Sequence, residues 1–187
     1  MARGLIHARS YADVGVAEIC EKAGVKKSSF YHFFPSKRDL TLAILDASFE
    51  EIQQRIQKQA FSGHATPMTR LGQLVEAIIR MQSDLLRENG RVTGCPFGNM
   101  AAEQATQDEA IRSKVEQLFR RVARSISMLL QQAMDAKEID PLDVPATADA
   151  MLAYLQGVLL LAKTRNDHGL IARLLPRMLD IRITPDG

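Results

Sequence analysis

Between residues 16 and 34 the apolar positions repeat twice, briefly, with the period of an α-helix. Val16, Ile19, Cys20 and Ala23 fall at i, i+3, i+4 and i+7, the spacing that gathers one buried face. Gly24 predicts the stop, because a helix C-terminus favours a left-handed backbone that glycine adopts without a Cβ penalty. Val25 is set to plug the angle with a second short helix, whose inner side is expected from Phe30, Phe33 and Phe34. Pro35 ends that helix, since the residue before a proline is pushed out of the helical region. Ser36 and Asp39 then have the spacing of an N-cap and its acidic capping-box partner, opening a third helix with Lys37 in its first turn.

The remainder keeps the helical period, without strand-like alternation or internal repeats. Leu40, Ile44, Leu45, Phe49, Ile52 and Ile56 continue the third helix to about Gln59. Thr66-Pro67 is an N-cap followed by proline at the first helical position. It opens a helix through Leu71, Leu74, Val75, Ile78, Leu85 and Leu86 that stops near Gly90. A short helix follows from Pro96, then a long one on which Ile111, Val115, Leu118, Val122, Ile126, Leu129 and Ala133 recur. Pro141 and Pro145 mark a connection, and residues 146–163 form a helix that is apolar all round. Such a helix is buried on two sides, one of them by something outside its own domain. Ile171, Leu174, Leu175, Met178 and Leu179 make a second stripe, which Pro176 kinks or breaks.

Two short helices meeting at a tight turn suit the major groove of DNA. The outer side of the second helix carries Lys27, Ser28, Ser29, Tyr31 and His32, donors and acceptors suited to base edges. Lys37, beside a helix N-terminus, suits a phosphate. At Ala23-Gly24-Val25, Ser28-Ser29-Phe30-Tyr31-His32-Phe33-Phe34 and Ser36-Lys37 the chain closely resembles the TetR family of bacterial transcription regulators. Two departures stand out. Position 26, where the family commonly has a capping serine or threonine, is Lys26; loss of such a cap costs about 1 kcal/mol. A lysine there also opposes the helix dipole unless a phosphate lies against it, so Lys26 joins Lys27 as a DNA-facing charge. Only residues 1–10 precede this region, where the family usually has a basic arm and most of a first helix. That helix, around Leu5 and Ile6, is expected to be cut short.

Charge sharpens the division of labour. The net charge is +2, but residues 1–45 hold +3 and the remainder -1, so the basic excess lies with the DNA reader. Two distant cysteines give no disulfide framework and fit a reducing cytoplasm. No signal peptide is visible, and the longest uncharged apolar run is thirteen residues, 150–162, against about 20 for a membrane span. His7, His32, His64 and His168 have no paired ligand spacing, and neither metal nor cofactor is expected. His32 is expected at the DNA, and His64 and His168 in solvated loops.

The expected architecture is all-α: a helix-turn-helix domain over residues 1–45, with its first helix cut short, and a helical regulatory and dimerisation domain over 46–187. Met151, Leu152, Leu155, Leu159, Leu174 and Met178 are the expected homodimer interface, a symmetric four-helix contact that the resemblance also implies. Two-fold dimers read half-sites about 34 Å apart, which makes a palindromic double-stranded operator the expected partner.

For sensing, Cys95 lies just before a proline-started helix, where free amides stabilise a thiolate. The resemblance allows it to react with an electrophile or oxidant; a packed Gly-Cys-Pro turn with an inert thiol is the other reading. Phe97, Asn99, Met81, Gln82, Met128 and Tyr154 are candidate walls of a small-molecule pocket. The expected function is a ligand- or redox-responsive cytoplasmic regulator, not an enzyme, acting as a repressor that a small effector releases from DNA. The alternatives are a small helical enzyme with Cys95 as nucleophile, or a constitutive DNA-binding protein without effector.

Overall fold

A computed structural model describes residues 11–60 and 65–185 of the chain; the short helix expected around Leu5 and Ile6 lies outside the described residues. Among the described residues eight helices follow in order: α1 (Val16–Ala23), α2 (Lys27–Phe33), α3 (Lys37–Ala60), α4 (Pro67–Asn89), α5 (Pro96–Gln104), α6 (Glu109–Asp135), α7 (Val144–Arg165) and α8 (His168–Leu174). A 3₁₀ segment, Leu175–Asp180, comes after α8. No strand occurs among the described residues.

Local chemistry sets most of the ends. Gly24 is left-handed at φ 66°, and the Val25 N–H closes back on the Cys20 carbonyl at 3.0 Å, the six-to-one bond of a Schellman ending. Ser36 Oγ accepts the Asp39 N–H and donates to the Asp39 carboxylate at 2.6 Å, starting α3. Thr66 caps α4 by accepting the Thr69 N–H. Asp143 caps α7 by accepting the Ala146 N–H at 2.9 Å, so this helix begins at Val144 and takes Pro145 into its first turn, where a missing N–H costs nothing. Pro176 sits in the 3₁₀ segment that follows α8, consistent with the break expected there.

The chain divides into two compact units. The first runs through Glu51 and takes in Pro96–Leu118, so α5 and the start of α6 pack with the helix-turn-helix. Its buried apolar residues include Val14, Ile19, Cys20, Phe30, Leu40, Leu45, Phe97, Met100, Ile111 and Leu118. Ion pairs tie its surface: Lys114 Nζ lies 2.8 Å from the Asp46 carboxylate, and Arg38 Nη1 lies 3.7 Å from Asp108.

The second unit comprises Ile52–Cys95 and the chain from Phe119 onward. Leu71 and Val75 of α4, Ile126, Leu129 and Leu130 of α6, and Met151, Leu155 and Leu159 of α7 share one core with Leu170, Ile171, Leu175 and Met178. Of the residues expected at a homodimer interface, Met151, Leu155, Leu159 and Met178 are buried within their own unit, and Leu152 and Leu174 are half-buried. The free side of α7 is a different stripe, Ala153, Gly157, Leu160, Leu161 and Thr164, with Leu160 60% exposed. An apolar pattern on all sides does not reveal which side the chain's own core occupies.

Candidate nucleic-acid interface and sensor loop

α1 and α2 meet across the Gly24–Lys26 turn, and their inner faces are narrower than the spacing implies. Phe30 is the buried anchor of α2 at 6% exposure, with Tyr31 edge-on to its ring at 5.1 Å and Phe34 at 6.0 Å. Phe33, expected beside them, is 73% exposed and lies edge-on to His32 at 5.0 Å. Phe34, the C-cap of α2, has an extended backbone and is half-buried, with its ring 6.0 Å from Phe30, whereas Phe33 on the last turn is left outside. Val25 also lies outside, because the bond that closes the turn is made by its backbone. Ala23, at the last position of α1, is exposed too.

The polar side of α2 is open. Lys26, Lys27, Ser28, Ser29, Tyr31 and His32 are all exposed. Lys26 occupies the N-cap with an extended backbone and no side-chain cap bond, so the first turn of α2 presents backbone amides flanked by two cations. That is an anion-attracting arrangement.

Lys37 is the exception among the candidate DNA ligands. Its Nζ donates to the Tyr11 carbonyl at 2.8 Å and the Val14 carbonyl at 3.2 Å, and lies 4.0 Å above the Tyr11 ring. The ammonium is held by the backbone that leads into α1. Opposite it, Glu103 of α5 accepts the Tyr11 N–H at 2.9 Å and the Ala12 N–H at 3.0 Å. Asp108 caps α6 through the Ala110 and Ile111 amides. Burial, reinforced by the Asp108 charge, pushes the Tyr11 phenol above its ordinary pKa. Glu103 and Asp108 were absent from the sequence-based set of functional residues, and no local signal announces a contact across 92 positions.

In the second unit the loop ending at Cys95 is fixed from α7. The Val92 N–H donates to Asn166 Oδ1 at 2.9 Å, and Gln82 Nε2 reaches the Gly94 carbonyl at 3.4 Å. Gly94 is left-handed at φ 74°, and a Cβ there would lie 3.2 Å from Lys163 Cδ. Cys95 is half-buried against the core. Gln82 is 3% exposed and its Oε1 has no hydrogen-bond partner; Met81 is buried beside it in sequence.

The other candidate pocket residues have settings of their own. Phe97 packs on Phe49 at 5.8 Å within the first unit, and Asn99 is half-buried on the same helix, α5. Met128 faces solvent on α6. The Tyr154 hydroxyl donates to the Leu174 carbonyl at 3.0 Å, tying α7 to the end of α8. Helical spacing reports a shared face, but not whether that face is wall or surface.

His168 starts α8 half-buried, with its Nε2 buried and unpartnered, rather than lying in a solvated loop; His7 and His64 fall outside the described residues. Among the described residues no three His, Cys, Asp or Glu side chains form a metal-binding group.

Comparison with known proteins agrees with this geometry. Residues 1–44 match the model described as bacterial regulatory proteins, tetR family, and residues 67–178 match the tetracyclin repressor-like C-terminal domain. The chain is 31% identical to the transcriptional regulator AcuR of Cereibacter sphaeroides, over 83% of this chain and 69% of that one. It is 28% identical to the transcriptional repressor NemR of Escherichia coli strain K12, over 68% of this chain and 60% of the relative. The crystal structure of reduced E. coli NemR superposes with a TM-score of 0.78 at 23% identity, covering 100% of this chain and 95% of that one.

Proposed function

Since the chain belongs to the TetR family of bacterial DNA-binding transcriptional regulators, we propose that it is a homodimeric repressor released from a palindromic operator by a small effector. The observation that carries this reading is the open side of α2. Lys26, Lys27, Ser28, Ser29, Tyr31 and His32 are exposed together while Phe30 anchors the helix from behind. Lys26 and Lys27 meet phosphate and fix register; Ser28, Ser29, Tyr31 and His32 reach base edges.

A single seven-residue helix covers too few base pairs for a specific site, so two protomers are needed. The outer stripe of α7 supports such a pairing. Gly157 has open space where a Cβ would point, which permits close helix approach, and Leu160 and Leu161 supply apolar surface on either side. α7 is also long and apolar enough to cross a membrane. Its Met151, Leu155 and Leu159 side, however, is the core of the second unit, which favours a protein partner for the free side and a cytoplasmic protein.

The effector acts near the loop that ends at Cys95. Gln82 offers it a buried carbonyl oxygen, and the thiol offers a group that an electrophile or oxidant modifies. Effector and operator then weaken each other by the same factor, as linkage requires. The test is fluorescence anisotropy with an operator selected from random duplexes by the wild-type protein. Tyr31→Ala is expected to abolish specific binding and leave weak non-specific binding; unchanged specific affinity would sink the assignment of α2 as the reader.

A further inference from the structure

The backbone at Tyr11 and Ala12, which leads into α1, is gripped from two sides. Glu103, on the last turn of α5, accepts both amides through separate oxygens, at 2.9 and 3.0 Å. Two amides on one carboxylate form a charge-assisted pair that fixes orientation as well as distance. On the other side, Lys37 of α3 takes the Tyr11 and Val14 carbonyls and covers the Tyr11 ring. The entry to the helix-turn-helix is therefore built on α5 and α3 and not only on its own helices.

We propose that Glu103 is a positioning residue for operator binding: it ties the entry of the reader to α5, so that the backbone at Tyr11 and Ala12 is held in the setting from which α1 and α2 meet DNA. The proposal rests on the reading of the chain as an effector-responsive DNA-binding protein. With the carboxylate in place the entry segment is ordered before DNA arrives; without it that ordering weakens binding.

The experiment uses full-length protein and an operator recovered from a random duplex library by the wild-type chain. Amide exchange of peptides covering residues 11–25 reports the clamp directly, and anisotropy reports affinity. Glu103→Ala is expected to speed exchange in that segment and to weaken operator binding by about tenfold. Glu103→Gln, which keeps one acceptor oxygen, should fall between.

Unchanged exchange in that segment, or faster exchange with unchanged affinity, would overturn the positioning role. A wild-type chain that selects no operator would instead overturn the functional reading beneath it.

Discussion

The Lys37 ammonium lies 4.0 Å above the Tyr11 ring and donates to the Tyr11 carbonyl at 2.8 Å. A residue that sequence assigns to DNA phosphate is thus bound into the protein. Lys37→Met should lower stability to urea by about 2 kcal/mol, the scale of a hydrogen bond from a charged donor. It should leave the salt dependence of operator binding unchanged, whereas Lys27→Ala should reduce the slope of log affinity against log salt by about 0.9 for each phosphate that the lysine neutralises. A slope that falls equally in both variants would return Lys37 to the phosphate backbone.

Phe30 and Phe33 separate folding from reading. Phe30→Ala empties a buried site and should cost about 3–5 kcal/mol. Phe33→Ala, at a side chain 73% exposed, should stay within about 0.5 kcal/mol while changing operator affinity. Chemical denaturation of both variants checks the first contrast and anisotropy the second.

The two sides of α7 separate protomer stability from assembly. Met151→Ala, on the buried side, should destabilise by about 2–5 kcal/mol and keep the dimer at concentrations where the chain folds. Leu160→Glu, on the open side, is expected to leave the monomer folded and produce monomers in sedimentation, because two-fold symmetry brings the new charges together. Specific DNA binding should fall with the dimer.

Glu109 gives a pH signature. Hydrogen bonds from Arg112 and Ser113 hold its carboxyl at about 2, well below the ordinary value of 4.5. A depressed folded-state pKa contributes stability above the unfolded value and loses it as pH falls through the folded one. The difference in melting temperature between wild type and Glu109→Gln should therefore be constant above about pH 5 and shrink towards pH 2. The effect should be small, because the pair is exposed.

The helix-turn-helix was legible because its signals are local. Gly24 ends α1 by its own backbone freedom, Ser36 caps α3 within three residues and Thr66 does the same for α4, whereas Asp143 starts α7 at Val144, ahead of the expected 146. The exposed polar row on α2 was legible for the same reason: once Phe30 anchors the helix, rotation assigns most of the rest. Phe33 escaped that reading because two hydrophobic positions can compete for one narrow face. Among the candidate sensor residues, Cys95 and Gln82 belong to one loop and its support, whereas Phe97 packs on Phe49 and Met128 faces solvent.

By itself the sequence determined the helical class, most ends of the helices and the presence of a helix-turn-helix, all set by interactions within a few residues. Tertiary structure decided which side of α7 is core, whether Lys37 faces DNA or backbone, and that Glu103 holds Tyr11. Those outcomes depend on interactions between segments as much as 92 residues apart. A period along one helix carries no information about what packs against it.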